Sequence, residues 1–182
     1  MENKMVATVE GHSARVVVTG LNDAGRSCIA SDGYGSSRWP TPMATSTVVW
    51  EATKLPVAVD FTTEADCDRY LPTVGGVKVF ITAVAPESAL ADDLATAYSE
   101  TIDGAGMDNL GGTHPPGFHQ TPTIDIITII RGEIYALTDE GEVLLKQGDT
   151  LIQRGTAHGW SNRSGEAVIM SGVMVGAVAA SS

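Results

Sequence analysis

A chain of 182 residues, 43% hydrophobic and 18% charged, has the composition of a globular protein and the length of one domain with a sizeable core. Its 22 acidic and 11 basic residues give a net charge of -11, which opposes binding to nucleic acid or to anionic lipid. No apolar run approaches the roughly 20 residues that span a bilayer, and Met1 to Gly11 carry Glu2, Lys4 and Glu10 with no apolar stretch of a secretory signal, so a cytoplasmic protein is expected.

Short apolar segments separated by Gly, Asp, Asn and Pro predict an antiparallel sandwich or barrel. Arg15 to Thr19, rich in β-branched residues, and Ser27 to Ala30 form a predicted hairpin around the turn Asn22-Asp23-Ala24-Gly25. Thr45 to Trp50 and Val77 to Val84 are further strand candidates, with Trp39-Pro40-Thr41-Pro42 as loop and Thr63 to Tyr70 as a short helix. Cys28 and Cys67 read as free thiols without assigned chemistry.

A longer helix is predicted over Glu87 to Asp103, where Leu90, Leu94, Tyr98 and Ile102 recur every four residues between Pro86 and Gly104. Its stripe suits packing on the barrel or on a second subunit, or service as a lid or pocket wall. Beyond a Gly- and Pro-rich approach ending at His119, four strands follow in meander order: Asp125 to Ile130, Ile134 to Thr138, Val143 to Lys146 and Thr150 to Gln153. A last strand, Ala167 to Val175, can close a jelly roll or small barrel.

The run from His119 to Asn162 resembles the cupins. Their first motif is Gly, five residues, His-x-His, three or four residues, Glu, six residues, Gly. Here His119-Gln120-Thr121, then Asp125 and Gly132, is similar, with Thr for the second His and Asp for Glu. Their second motif is matched by Gly148, Gly155, His158 and Asn162, with Gln153 where Pro is usual. The resemblance is to stand-alone cupins with His-x-Thr. It implies an all-β jelly-roll barrel with N-terminal strands and one or two short helices, in one domain over residues 1–182, with barrel motifs over about 77–176 and a strand extension over 1–60. It also implies a homodimer.

Strand alternation puts His119, Thr121 and Thr123 on one face, and Asp125, Ile127 and Ile129 on the face of the following strand. His119, His158 and Asp125 are therefore the candidate site. Two imidazoles and a carboxylate can hold a divalent metal (Fe, Mn, Ni or Zn) with positions left open for substrate or dioxygen. Equally, with no metal, the same residues can act as general acid, general base and orienting group. Thr121, Thr123, Ile127, Ile129, Gln153, Trp160 and Met170 are the candidate substrate pocket, with Val168 as a further wall residue. His12, His114, Arg154 and Asn162 are assigned to solvent or structure, Asn162 as a turn closure.

Three functions follow. The first is a metal-dependent oxygenase acting on a small, mostly apolar carbonyl or aromatic compound. The second is a lyase, decarboxylase or isomerase of the polyketide-tailoring kind using the same His/Asp site, and the third is a non-catalytic small-molecule binder.

Overall fold

The computed structural model describes Val9 and residues 11–60, 62–63, 69–90, 94–112 and 114–178. Strands come in the order β1 (Arg15–Leu21), β2 (Ser27–Tyr34), β3 (Arg38–Pro40), β4 (Ala44–Ala52) and β5 (Val77–Val84). A 3-10 turn (Glu87–Ala89) and the helix α1 (Leu94–Gly104) follow, then β6 (Asp108–Asn109), β7 (His119–Gln120), β8 (Thr123–Arg131) and β9 (Glu133–Thr138). The chain continues through β10 (Gly141–Lys146), β11 (Thr150–Arg154), β12 (Gly159–Ser161) and β13 (Val168–Gly176).

A six-stranded sheet runs β11-β8-β13-β5-β4-β3, and a three-stranded sheet runs β10-β9-β12. β8 and β9 are consecutive yet lie in different sheets, so the expected meander is corrected to a crossover. The crossing is made at Gly132, whose φ of 86° is open to glycine and strained for other residues. Between the sheets lies an apolar core of Val84, Ile129, Ile134, Ala136, Leu145, Val168 and Met170, with Trp160 and Ile127 packed against it. Each of the Val, Ile, Leu and Met side chains among them contributes about 1.5–3 kcal/mol when removed from water. This is the jelly-roll barrel that the strand and turn pattern predicted.

Three other expectations change. Trp39 and Pro40, predicted as loop, belong to β3 and pair with Ser46 and Thr45; β3 is an edge strand, where a proline that lacks an N–H is tolerated. The continuous helix over Glu87 to Asp103 is interrupted: Leu90 is extended, with φ -84° and ψ 145°, and packs with Val9, Ala83 and Ala85. His119 and Thr123 lie on separate strands because Pro122 breaks the ladder between them, although the side chains of His119, Thr121 and Thr123 are all buried as alternation requires. The helix predicted over Thr63 to Tyr70 falls mainly outside the described residues, as does Cys67; Cys28 is a free thiol. No helix among the described residues is long and apolar enough to cross a membrane.

Candidate active site

His119 and His158 face each other across an antiparallel bridge: the His119 N–H donates to the His158 carbonyl at 2.8 Å, and the His158 N–H donates back at 3.0 Å. Directly opposed residues of this kind project to the same face, and the ring centroids lie 4.2 Å apart. The His119 Nδ1 is 2.9 Å from the Gly117 carbonyl, and the His158 Nδ1 is 2.9 Å from the Thr156 carbonyl. A carbonyl only accepts, so both Nδ1 atoms carry the hydrogen and both Nε2 atoms keep a lone pair. Burial lowers the pKa of both rings, and the neighbouring His119 adds to the effect at His158, which falls to about 4. The two imidazoles are neutral acceptors at physiological pH.

Asp125 comes from β8 and pairs in register with Gln153 of β11 and Met174 of β13. Burial raises its carboxyl to about 6, against a downward pull from the Thr123 hydroxyl hydrogen-bonded to it. Its Oδ1 is buried and has no hydrogen-bond partner. Thr123 in turn lies 2.8 Å from the Thr121 hydroxyl, so the threonine standing for a second histidine is tied to the carboxylate's support.

His119, His158 and Asp125 line a single cavity of about 130 Å³. Of the predicted pocket residues, Thr121, Ile127, Trp160 and Met170 line it too. Thr123, Ile129 and Gln153 do not: Thr123 stands behind the wall holding Thr121, Ile129 is packed into the core, and the Gln153 amide turns away to donate to Thr156. Val168 is likewise in the core, not in the wall. These side chains point inward as alternation demands, but the core reaches the sheet before the cavity does.

The remaining wall comes from residues outside the predicted pocket set, and on one side from the helix whose stripe suggested a wall. Met43, Phe80, Met107 and Met174 supply apolar surface, and Tyr98, Thr101 and Ile102 of α1 close one side, which makes the helix a pocket wall. The Tyr98 hydroxyl lies 2.7 Å from the Trp160 carbonyl and 3.0 Å from the Glu87 carboxylate, pinning α1 to β12. Tyr70 and Thr82 also line the cavity, linked by a hydroxyl chain through Ser46 at 3.3 and 2.8 Å. Thr82 was legible from its place two residues after Phe80 on β5; nothing in the sequence points to Tyr70, which arrives from a loop. Outside the cavity, His114 lies 3.0 Å from Asp139, Arg154 is exposed, and the Asn162 amide donates to Val84 and Glu166 while its oxygen accepts from Ser164, closing the turn as expected.

The donor chemistry suits a divalent cation only in part. Two Nε2 lone pairs and an unpartnered carboxylate oxygen share one cavity. Among the described residues, however, no three His, Cys, Asp or Glu side chains come together as a ligand set. His119, His158 and Asp125 line one cavity without forming such a set, and no step is derived through a metal.

Two sheets closed over one cavity, with paired histidines lining it and a carboxylate six residues beyond the first, make an all-β jelly-roll barrel of the cupin type. No protein-family model matches it. It is 31% identical over 118 residues to the oryzines biosynthesis cluster protein J of Aspergillus oryzae, covering 62% of this chain and 66% of that one. It is 39% identical over 57 residues to a cupin-domain-containing oxidoreductase of Neurospora crassa, covering 31% and 29%. A solved cupin 2 conserved barrel domain protein from Salinispora arenicola is 16% identical, with TM-score 0.36 over 54% of this chain and 62% of that one. The chain thus spans just under two thirds of the first relative and under a third of the second.

Proposed function

We propose that this chain is an enzyme that tailors a small, mostly apolar carbonyl or aromatic compound by proton transfer, as an isomerase or lyase does. One observation carries the reading: two neutral imidazole acceptors and a carboxyl group near pKa 6 share one apolar cavity. A carboxyl group tuned toward neutrality exchanges protons with carbon far more readily than an ordinary aspartate. Asp125 is the group that delivers a proton to, or removes one from, the carbon beside the carbonyl. The hydroxyl of the enol form donates to an imidazole Nε2, which takes its proton as the carbonyl forms, and the proton then returns to Asp125 to reset the site. Similarity to a protein named for a biosynthesis cluster supports a tailoring role.

The test is deuterium exchange into the ring methylenes of 2-indanone in D2O, followed by proton NMR. The wild-type chain is expected to accelerate exchange, and Asp125→Asn and His158→Gln each to slow it by roughly 100-fold or more. EDTA is expected to leave the rate unchanged. Exchange no faster than in buffer defeats the proposal, and binding without exchange leaves the chain as a small-molecule binder. The oxidoreductase relative favours a second reading, a metal-dependent oxygenase. Loss of activity in EDTA, restored by Fe(II) with uptake of dioxygen, would transfer the assignment to it.

A further inference from the structure

At the polar end of the cavity His119, His158 and Asp125 present acceptors, and the hydroxyls that also line it are engaged: Tyr70 and Thr82 with Ser46, Thr121 with Thr123, Thr101 with the Ala97 carbonyl and Tyr98 with the Trp160 carbonyl. His119 and His158 spend their Nδ1 hydrogens on the backbone carbonyls of Gly117 and Thr156, which leaves two Nε2 lone pairs, and the buried Asp125 Oδ1 has no partner. Among the described residues, no Lys or Arg lines the cavity. A buried cation does lie on the same cross-strand row, where Lys78 pairs with Met174 and Met174 with Asp125. It is two strands away, behind the Met174 side chain that forms the wall, and is held 3.1 Å from Glu51. An anion entering this end meets a carboxylate and two lone pairs with nothing to offset its lost hydration. A neutral hydroxyl can donate to either Nε2 lone pair or to the Asp125 Oδ1.

We infer that the pocket selects a neutral hydroxyl-bearing ring compound, a phenol or cyclic enol, by its O–H, and rejects the corresponding carboxylate. This deepens the proton-transfer reading by naming the group that the site must hold, and it rests on that reading only for what happens after binding. Size agrees: an apolar cavity of about 150 Å³ takes one benzene ring, and this one is about 130 Å³, with Met43, Phe80, Met107 and Met174 around it.

Titration calorimetry of the full chain at pH 7.5 with 4-methylphenol, 4-methylanisole and 4-methylbenzoate separates the terms, because the three share a ring and differ in head group. The phenol is expected to bind at least 10-fold more tightly than the anisole, which cannot donate, with the benzoate the weakest. In Asp125→Asn, whose amide can donate, the gap between phenol and benzoate is expected to shrink at least 10-fold. If that variant does not fold, the three wild-type affinities decide alone. Benzoate binding as tightly as phenol overturns the inference, and is the result that a cation held at this end would give. Equal affinity for phenol and anisole, or binding of none of the three, overturns it too. Because turnover is not measured, phenol selectivity without deuterium exchange upholds this inference while defeating the catalytic one.

Discussion

Asp125 and His158 shift in opposite directions for one physical reason: burial penalises the charged form of each, the anion of one and the cation of the other. Between about pH 4 and 6 the folded Asp125 holds a proton that the unfolded chain releases, so its contribution to stability falls as pH rises. Between about pH 4 and 6.5 the folded His158 lacks a proton that the unfolded chain binds, so its contribution rises with pH. The lowered His119 acts in the same sense as His158. Asp125 therefore offsets the histidines across the same window. Asp125→Asn is expected to make stability climb more steeply from pH 4 to 6, by about 2 kcal/mol over the window. His158→Gln should flatten or invert the slope. Urea denaturation at half-unit pH intervals measures both; identical slopes in wild type and variants would remove these residues from the linkage.

At the level of elements, the site depends on how α1 meets the loop before β7. Gly117 has φ 86°, and a Cβ there would stand 2.2 Å from the Tyr98 ring, while its carbonyl holds the His119 Nδ1. One glycine thus seats the helix and orients the histidine. Gly117→Ala is expected to destabilise the fold by roughly 2 kcal/mol, combining backbone strain with a clash, and to weaken ligand binding as His119 loses its support. Gly165→Ala, where the added carbon meets nothing within 4 Å, is the neutral control in the same thermal melts. This coupling was not legible in sequence, because the Gly104 to Gly117 stretch shows only punctuation. What could be read was local: β1, β2, β4, β5, β8 to β11 and β13 follow from β-branched runs bounded by turn residues, and His119 and His158 from motif spacing. What could not be read was tertiary. The two-residue pairing of β6 with β7, the short β12, and the arrival of Tyr70 beside Phe80 at 4.9 Å depend on contacts distant in the chain. Strand alternation gave the inward direction of Thr123 and Ile129 correctly but could not say where core ends and cavity begins.

Across the whole molecule, the six-stranded sheet carries a buried polar row facing inward, in register from Glu51 through Lys78, Met174 and Asp125 to Gln153. One end of it is charged and closed, and Met174 and Asp125 further along it line the cavity. Lys78 is 0% exposed, lies 3.1 Å from Glu51 and donates to the Arg69 carbonyl, with the Phe80 ring 5.9 Å from its nitrogen. Arg69 approaches the same Glu51 carboxylate at 3.4 Å from a half-exposed position. Two charges taken out of water this completely cost about as much as their attraction returns, whereas removing one leaves the other poorly compensated. Lys78→Met is therefore expected to cost about 3–5 kcal/mol, lowering Tm by roughly 10 °C in a domain of this size. The double variant Lys78→Met/Glu51→Leu is expected to recover most of that loss, since an apolar pair of similar volume needs no compensation. A double-mutant cycle by chemical denaturation measures the coupling, and a double variant as unstable as the single one would show that the row is held by packing instead of by the ion pair. The ligand measurement distinguishes a further consequence: with Met174 intact between the two ends, the double variant keeps the preference for 4-methylphenol over 4-methylbenzoate, because the charge at the closed end never reaches the cavity.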